Sequence, residues 1–115
     1  MSRRLGETKP LYYSDLSVYS LLMQLERSPE LMSFQHETLG KLLGSESAGE
    51  LVHTLEAYFE HHGNLSKAAE ALYVHRNTLI YRMGRIAEIT DLDLDNPENR
   101  LALQLALRIH RMTHK

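Results

Sequence analysis

Six side chains between positions 76 and 85 carry the densest hydrogen-bonding chemistry in this chain: Arg76, Asn77, Thr78, Tyr81, Arg82 and Arg85. A guanidinium can grip guanine or a phosphate through two parallel bonds, and an asparagine amide can pair bidentately with adenine. A threonine hydroxyl near a helix start can bond phosphate, where free backbone N–H groups also attract anions. No acid occurs from His75 to Ile86. A face that only meets water normally mixes Glu with Lys, so the mix here points to a polyanion. The bland rival, a basic but merely solvated helix face, has the same periodicity and differs only in that chemistry.

These groups need a frame. Leu79, Met83 and Ile86 are spaced four and then three residues apart, the buried stripe of a helix starting near His75. Ahead of it, Asn64 is suited to cap a shorter helix by accepting from an unpaired backbone N–H. Ala68, Ala69 and Leu72 give that helix a side small enough for close approach, and Tyr73 and Val74 form the turn, with Val74 as a plug. The stretch Asn64 to Ile86, NLSKAAEALYVHRNTLIYRMGRI, therefore reads as a helix-turn-helix whose second helix would lie in the major groove. Arg76 and Asn77, in the first turn, are expected to read base edges. Tyr81 is expected to meet the sugar–phosphate wall or a thymine methyl, with core packing as its rival. Arg82, Arg85, Thr78 and Lys67 are expected to hold phosphates. His75 is expected to cap the second helix, with a phosphate contact as the competing role.

At 115 residues the chain is expected to form a core without metal or disulfide support, and with no cysteine it can have neither a disulfide framework nor a thiolate metal site. No apolar run is long enough to cross a bilayer, so a soluble, cytoplasmic protein is expected. The formal charge of −2 is unusual for a DNA partner, but the charge is unevenly spread. From Pro29 to Gly63 there are six acids (Glu30, Glu37, Glu46, Glu50, Glu56, Glu60) against Lys41 alone. Local potential within roughly 8 Å decides whether phosphates are attracted. The acidic segment is therefore expected to face away from the duplex, with weak non-specific affinity and a dependence on dimerisation.

The remainder reads as all-α: a helical domain with the helix-turn-helix at its centre and extra apolar helices at both ends. Residues 1–13 read as a tail or linker, residues 14–46 as an N-terminal helical pair, and residues 47–115 as the DNA-binding domain with its motif at 64–89. Ser14 or Asp15 is expected to cap an apolar helix to about Arg27. Ser28-Pro29 starts the next, to about Leu43, with proline where its missing N–H costs nothing. Ser47 with Glu50 fits a capping box, and Leu51, Leu55, Tyr58 and Phe59 give one apolar face to the helix that follows. Gly63 suits the left-handed residue ending it. Asn96-Pro97 opens a closing helix with two apolar stripes, Leu101, Leu105, Ile109 and Met112, and Leu103, Ala106 and Leu107. Two stripes exceed one core contact, which implies either a tight helical pair or self-association.

The run His75-Arg76-Asn77-Thr78-Leu79-Ile80-Tyr81-Arg82 resembles the C-terminal DNA-binding domain of the PucR/CdaR group of bacterial transcriptional regulators, whose signature His-Arg-Asn-Thr-Leu-x-Tyr-Arg it matches at every specified position. The resemblance extends over Leu51 to Phe59, Asn64 to Leu72, the Asp-Leu-Asp connector and the leucine-rich closing helix, and upstream to about Tyr12. It implies a Fis-like helix-turn-helix acting as an oligomer, with Arg76, Asn77, Thr78, Tyr81 and Arg82 contacting DNA. It also implies control of a catabolic operon of purine or sugar-diacid type. The effector would bind a domain absent from this chain, whose first dozen residues read as the end of something removed. Tyr73 departs mildly from the pattern, standing where small or polar residues are frequent.

Two other classes compete. Seven histidines raise a metal or enzyme site, with His110 and His114 four apart, and Asp91, Asp93 and Asp95 alternate as in a calcium loop. The glycine and distal Glu of an EF-hand are missing, no carboxylate lies beside the histidine pair, and no nucleophile–base spacing is evident. No enzyme activity, cofactor or metal is expected. The second rival is a protein-interaction or dimerisation module that uses the apolar terminal helices and never touches DNA.

Overall fold

Polar residues set just ahead of apolar runs decide where the helices begin. The structure, a computed structural model, describes residues 13–113, with side chains from Ser17 onward. Over those residues the elements are α1 (Tyr13–Gln24), α2 (Pro29–Leu43), α3 (Ala48–Glu60), α4 (Leu65–Ala71), α5 (Arg76–Thr90) and α6 (Pro97–Thr113). The fold is all-α. Ser28 Oγ accepts from the Leu31 N–H at 3.1 Å, Asn64 Oδ1 from the Lys67 N–H at 3.0 Å, and Asn96 Oδ1 from the Glu98 N–H at 2.8 Å. Each bond satisfies a donor that the first helical turn leaves unpaired.

Some expected boundaries are corrected. Ser14 and Asp15 lie inside α1, so neither caps it, and α1 ends at Gln24 rather than near Arg27. Ser47 precedes α3 but makes no side-chain cap bond, so the expected capping box with Glu50 does not form. The tail expected over residues 1–13 lies, but for Tyr13, outside the described residues, as does His114.

Three helices stop on a left-handed residue that is not glycine: His62 (φ 57°), Tyr73 (φ 59°) and Asp91 (φ 60°). After α3 the His62 N–H donates to Phe59 and the Gly63 N–H to Tyr58; after α4 the Tyr73 N–H donates to Glu70 and the Val74 N–H to Ala69. This paired closure is the Schellman arrangement. Gly63, expected as the stop, also has positive φ (81°) but follows the first left-handed residue, His62.

Packing puts α5 at the centre. Its Leu79, Met83 and Ile86 are buried together with Leu39 and Leu42 of α2, Leu55 of α3, and Ala68 and Ala69 of α4. The two alanines leave room for α4 to approach α5, and Val74 packs onto this cluster from the turn, as a plug should. Thr54 is fully buried, and its hydroxyl donates to the Glu50 carbonyl at 2.9 Å. The stripes of α6 divide: Leu103, Ala106 and Leu107 join the main cluster, while Ile109 packs with Leu22 of α1 and Leu31 of α2. The pairing of first and last helices therefore occurs within one chain.

Tyr73 pays for its left-handed backbone without packing in return, since it is 94% exposed. A non-glycine residue there costs about 1–2 kcal/mol, partly offset by the extra chain entropy a glycine loses. Tyr73→Gly is expected to stabilise the domain by roughly 0.5–1 kcal/mol, read as a rise in thermal midpoint; a fall would show that the ring contributes a contact.

Candidate nucleic-acid interface

The short helix α4 and the turn Leu72–Val74 deliver the chain to His75 in extended conformation (φ −70°, ψ 149°), the geometry of an N-cap. His75 Nδ1 accepts from the Asn77 N–H at 2.9 Å. That bond requires Nδ1 unprotonated and leaves Nε2 to carry the ring proton. The expected capping role of His75 is therefore present, and the ring is held at the head of α5.

Burial of Leu79, Met83 and Ile86 on one side turns the opposite side of α5 to solvent. Asn77 and Tyr81, four residues apart, lie on that outer side, and Arg76 at the helix start is also exposed. Tyr81 is 68% exposed, which rules out core packing. Thr78 is half-buried, and Lys67, in the first turn of α4, is exposed. Gly84 continues the outer stripe, and a Cβ added there would meet nothing.

The arginines do not all stand unopposed, and here the sequence expectation is corrected. Arg82 is three positions beyond Leu79 and one short of Met83, on the shoulder of the buried stripe. Its Nη2 lies 2.9 Å from Oε2 of Glu50, with side-chain exposures of 19% and 54%. Glu50 belongs to the acidic segment expected to face away from the duplex; at this position it faces α5. Ser47 itself has φ −102° and ψ 25°, outside the extended geometry in which a capping hydroxyl meets the first-turn N–H groups. Arg85 Nη1 meets Oε1 of Glu88 at 2.7 Å, one turn along the same helix. That pair is well exposed and contributes only about 0.3–0.5 kcal/mol, so a phosphate can displace it readily. No ion pair involves Arg76 among the described residues.

Sequence reasoning missed Glu50 because its partner is 32 residues away and its own neighbourhood suggested a cap. Glu88 was missed because it lies two positions beyond the acid-free window. In the acidic connector, Asp93 Oδ1 accepts from the Asp95 N–H at 2.9 Å, the bond of a turn. Among the described residues no group of three or more metal-ligating side chains is placed to hold an ion. No described helix is long and apolar enough to cross a membrane.

With α3 behind it, α4 beneath it and a polar outer side facing solvent, α5 has the placement of a recognition helix. The class so defined is a DNA-binding domain of helix-turn-helix type. The model of the PucR C-terminal helix-turn-helix domain matches residues 51–109, just over half of the chain, and the chain belongs to that family. It is 39% identical to the purine catabolism regulatory protein of Bacillus subtilis (strain 168) over 79% of its own length and 17% of the relative's. It is 36% identical to the carbohydrate diacid regulator of Escherichia coli (strain K12) over 93% of its length and 28% of the relative's. The proline-responsive transcriptional activator PutR of Bacillus subtilis (strain 168) is 35% identical over 90% of the chain and 26% of the relative. The chain thus spans well under a third of the length of each of these relatives. No solved structure shows a significant match. The domain is of the DNA-binding output class found in transcriptional regulators.

The capping bond makes a direct prediction. His75→Ala is expected to lower stability by about 0.5–1 kcal/mol, and His75→Asn, a better cap, to restore it. Thermal melts of the two variants check this; equal losses in both would show that the imidazole acts through something other than the cap.

Proposed function

We propose that this domain reads a specific operator through the outer side of α5 and serves a regulator of a catabolic operon, of the purine or sugar-diacid type suggested by the names of its relatives. The observation that carries the reading is the division of α5. Leu79, Met83 and Ile86 are sealed beneath it, while Asn77 and Tyr81 stand exposed opposite, with Arg76 open at its start. Arg76 and Asn77 read base edges, and Tyr81 meets a thymine methyl or the sugar–phosphate wall. Thr78, Arg85, Lys67 and the Nε2–H of His75 hold phosphates. Arg82, engaged by Glu50, is left out of that contact set.

Residues 47–115 form the DNA-binding unit in this reading, and residues 14–46 brace it. A small-molecule effector acts through a domain outside this chain, in the cytoplasm, and no catalytic step is assigned to the domain. Homodimerisation joins two such units on a two-fold operator. The exposed Leu21 and Met23 of α1, Leu25 just beyond it, Met32 of α2 and Leu101 of α6 are apolar residues available for it. The same residues favour the second reading, an interaction module that never meets DNA.

Selection of bound duplexes from a random pool tests the main reading and supplies the operator. On that operator Arg76→Ala is expected to cost about 1–3 kcal/mol, confined to one base pair. Arg85→Ala is expected to weaken specific and random duplexes alike and to lower the salt slope by about one. Equal losses on both duplexes for Arg76→Ala would reverse its assignment. No enrichment at low salt, with the protein folded, would favour the interaction module. Separately, light scattering at high concentration is expected to show a dimer that Leu21→Glu dissociates; a monomer throughout would contradict self-association by this chain.

A further inference from the structure

Among the described residues the Glu50–Arg82 pair is a side-chain hydrogen bond between α3 and α5, at the edge of the face proposed to meet DNA. Glu50 sits in the first turn of α3, and its backbone carbonyl is fixed by the hydroxyl of fully buried Thr54 at 2.9 Å. Its carboxylate reaches across to Arg82, whose side chain is four-fifths covered. Arg82 is therefore engaged by α3 and more covered than Arg85, whose side chain is 45% exposed. A guanidinium turned to a carboxylate on its own protein presents little net charge to a phosphate beyond it.

We infer that Arg82 is a positioning residue and Glu50 its anchor: the pair sets how α5 lies across α3, and through that the register in which Arg76, Asn77 and Tyr81 meet base edges. This rests on the reading of α5 as the DNA-contacting helix. Apolar packing of Leu79, Met83 and Ile86 against leucines and alanines is non-directional. The bond between charged groups on α3 and α5 is directional. Its loss would leave the domain folded while blurring the placement of the outer face, and specificity depends on that placement far more than non-specific phosphate attraction does.

Glu50 supplies the discriminating variant. Removing a negative charge beside a polyanion would, by electrostatics alone, tighten binding. A loss of specific affinity in Glu50→Gln runs against that direct charge effect, and non-additivity with Arg82→Gln assigns it to the pair. Wild type, Glu50→Gln, Arg82→Gln and the double variant are titrated with a selected duplex and a random duplex over a range of salt, and each is melted. Both single variants are expected to lower the ratio of specific to random affinity by roughly three- to tenfold, with the double variant no worse than the weaker single. The salt slope is expected to stay at the wild-type value, because no phosphate contact is lost. The melting temperatures are expected to show the same non-additivity.

A lower slope by about one in Arg82→Gln, with equal or tighter binding in Glu50→Gln, would make Arg82 a phosphate ligand and overturn the inference. Additive losses in the melts would show that the pair is not a functional bond, and would overturn it as well. Wild-type protein that binds neither duplex would instead defeat the DNA-binding reading. The melts would then still report whether the two residues are coupled.

Discussion

A helix of fifteen residues can hide one stripe, and on α5 that stripe is Leu79, Met83 and Ile86. The main core of the fold is built around keeping those three side chains dry, while a smaller cluster of Leu22, Leu31 and Ile109 fastens α1 to α2 and α6. α4 comes close enough to cover the α5 stripe because it offers alanines, α3 closes the main cluster with Leu51 and Leu55, and α2 closes it from the other side with Leu39 and Leu42. Dry burial on one side fixes, by helical geometry alone, which residues face out on the other. The outer residues Asn77 and Tyr81 are presented because their neighbours are buried, and not through any contact of their own.

Rigidity of this presentation is shared between packing and polar fastenings. The Schellman closure after α4 and the His75 cap on α5 hold the turn from both ends, with Val74 inserted between. These local bonds fix the entry of α5. The Glu50–Arg82 pair fixes it farther along, against a different helix. A recognition helix is thus held at its start by a cap and at its shoulder by an ion pair, in addition to its buried stripe. Such seating is what base reading requires, because hydrogen bonds to base edges weaken steeply with misalignment.

Net charge misleads for this domain, and so does counting charges within a window. The chain carries −2 overall, yet the surface near the start of α5 has Arg76 with no carboxylate paired to it among the described residues. Conversely, the acid-free run from His75 to Ile86 suggested three free guanidinium groups, and the fold brings carboxylates to two of them. One comes from another helix and the other from two positions past the window. The two pairs differ in burial: the Arg85–Glu88 pair is open to water on both sides, whereas Arg82 is four-fifths covered where it meets Glu50.

What the sequence made legible was what depends on near neighbours. Caps at Asn64 and Asn96, the helix start at Ser28-Pro29, the stripe of α5 and the alanine side of α4 all involve residues within four or so positions of each other, and all are present. The stops were less legible, because His62, Tyr73 and Asp91 adopt a backbone that composition would assign to glycine. Glu50 was read as a cap partner because Ser47 stands three residues before it; Ser47 lacks the extended backbone of a cap, and the Glu50 carboxylate meets a guanidinium 32 residues away. The most direct measurement of the central claim is an amide NMR titration of the folded domain with its selected duplex. The account predicts the largest shifts at Arg76, Asn77, Tyr81 and neighbouring outer positions of α5, with α1 unmoved; shifts concentrated on the exposed apolar residues of α1 and α6, with α5 silent, would contradict it.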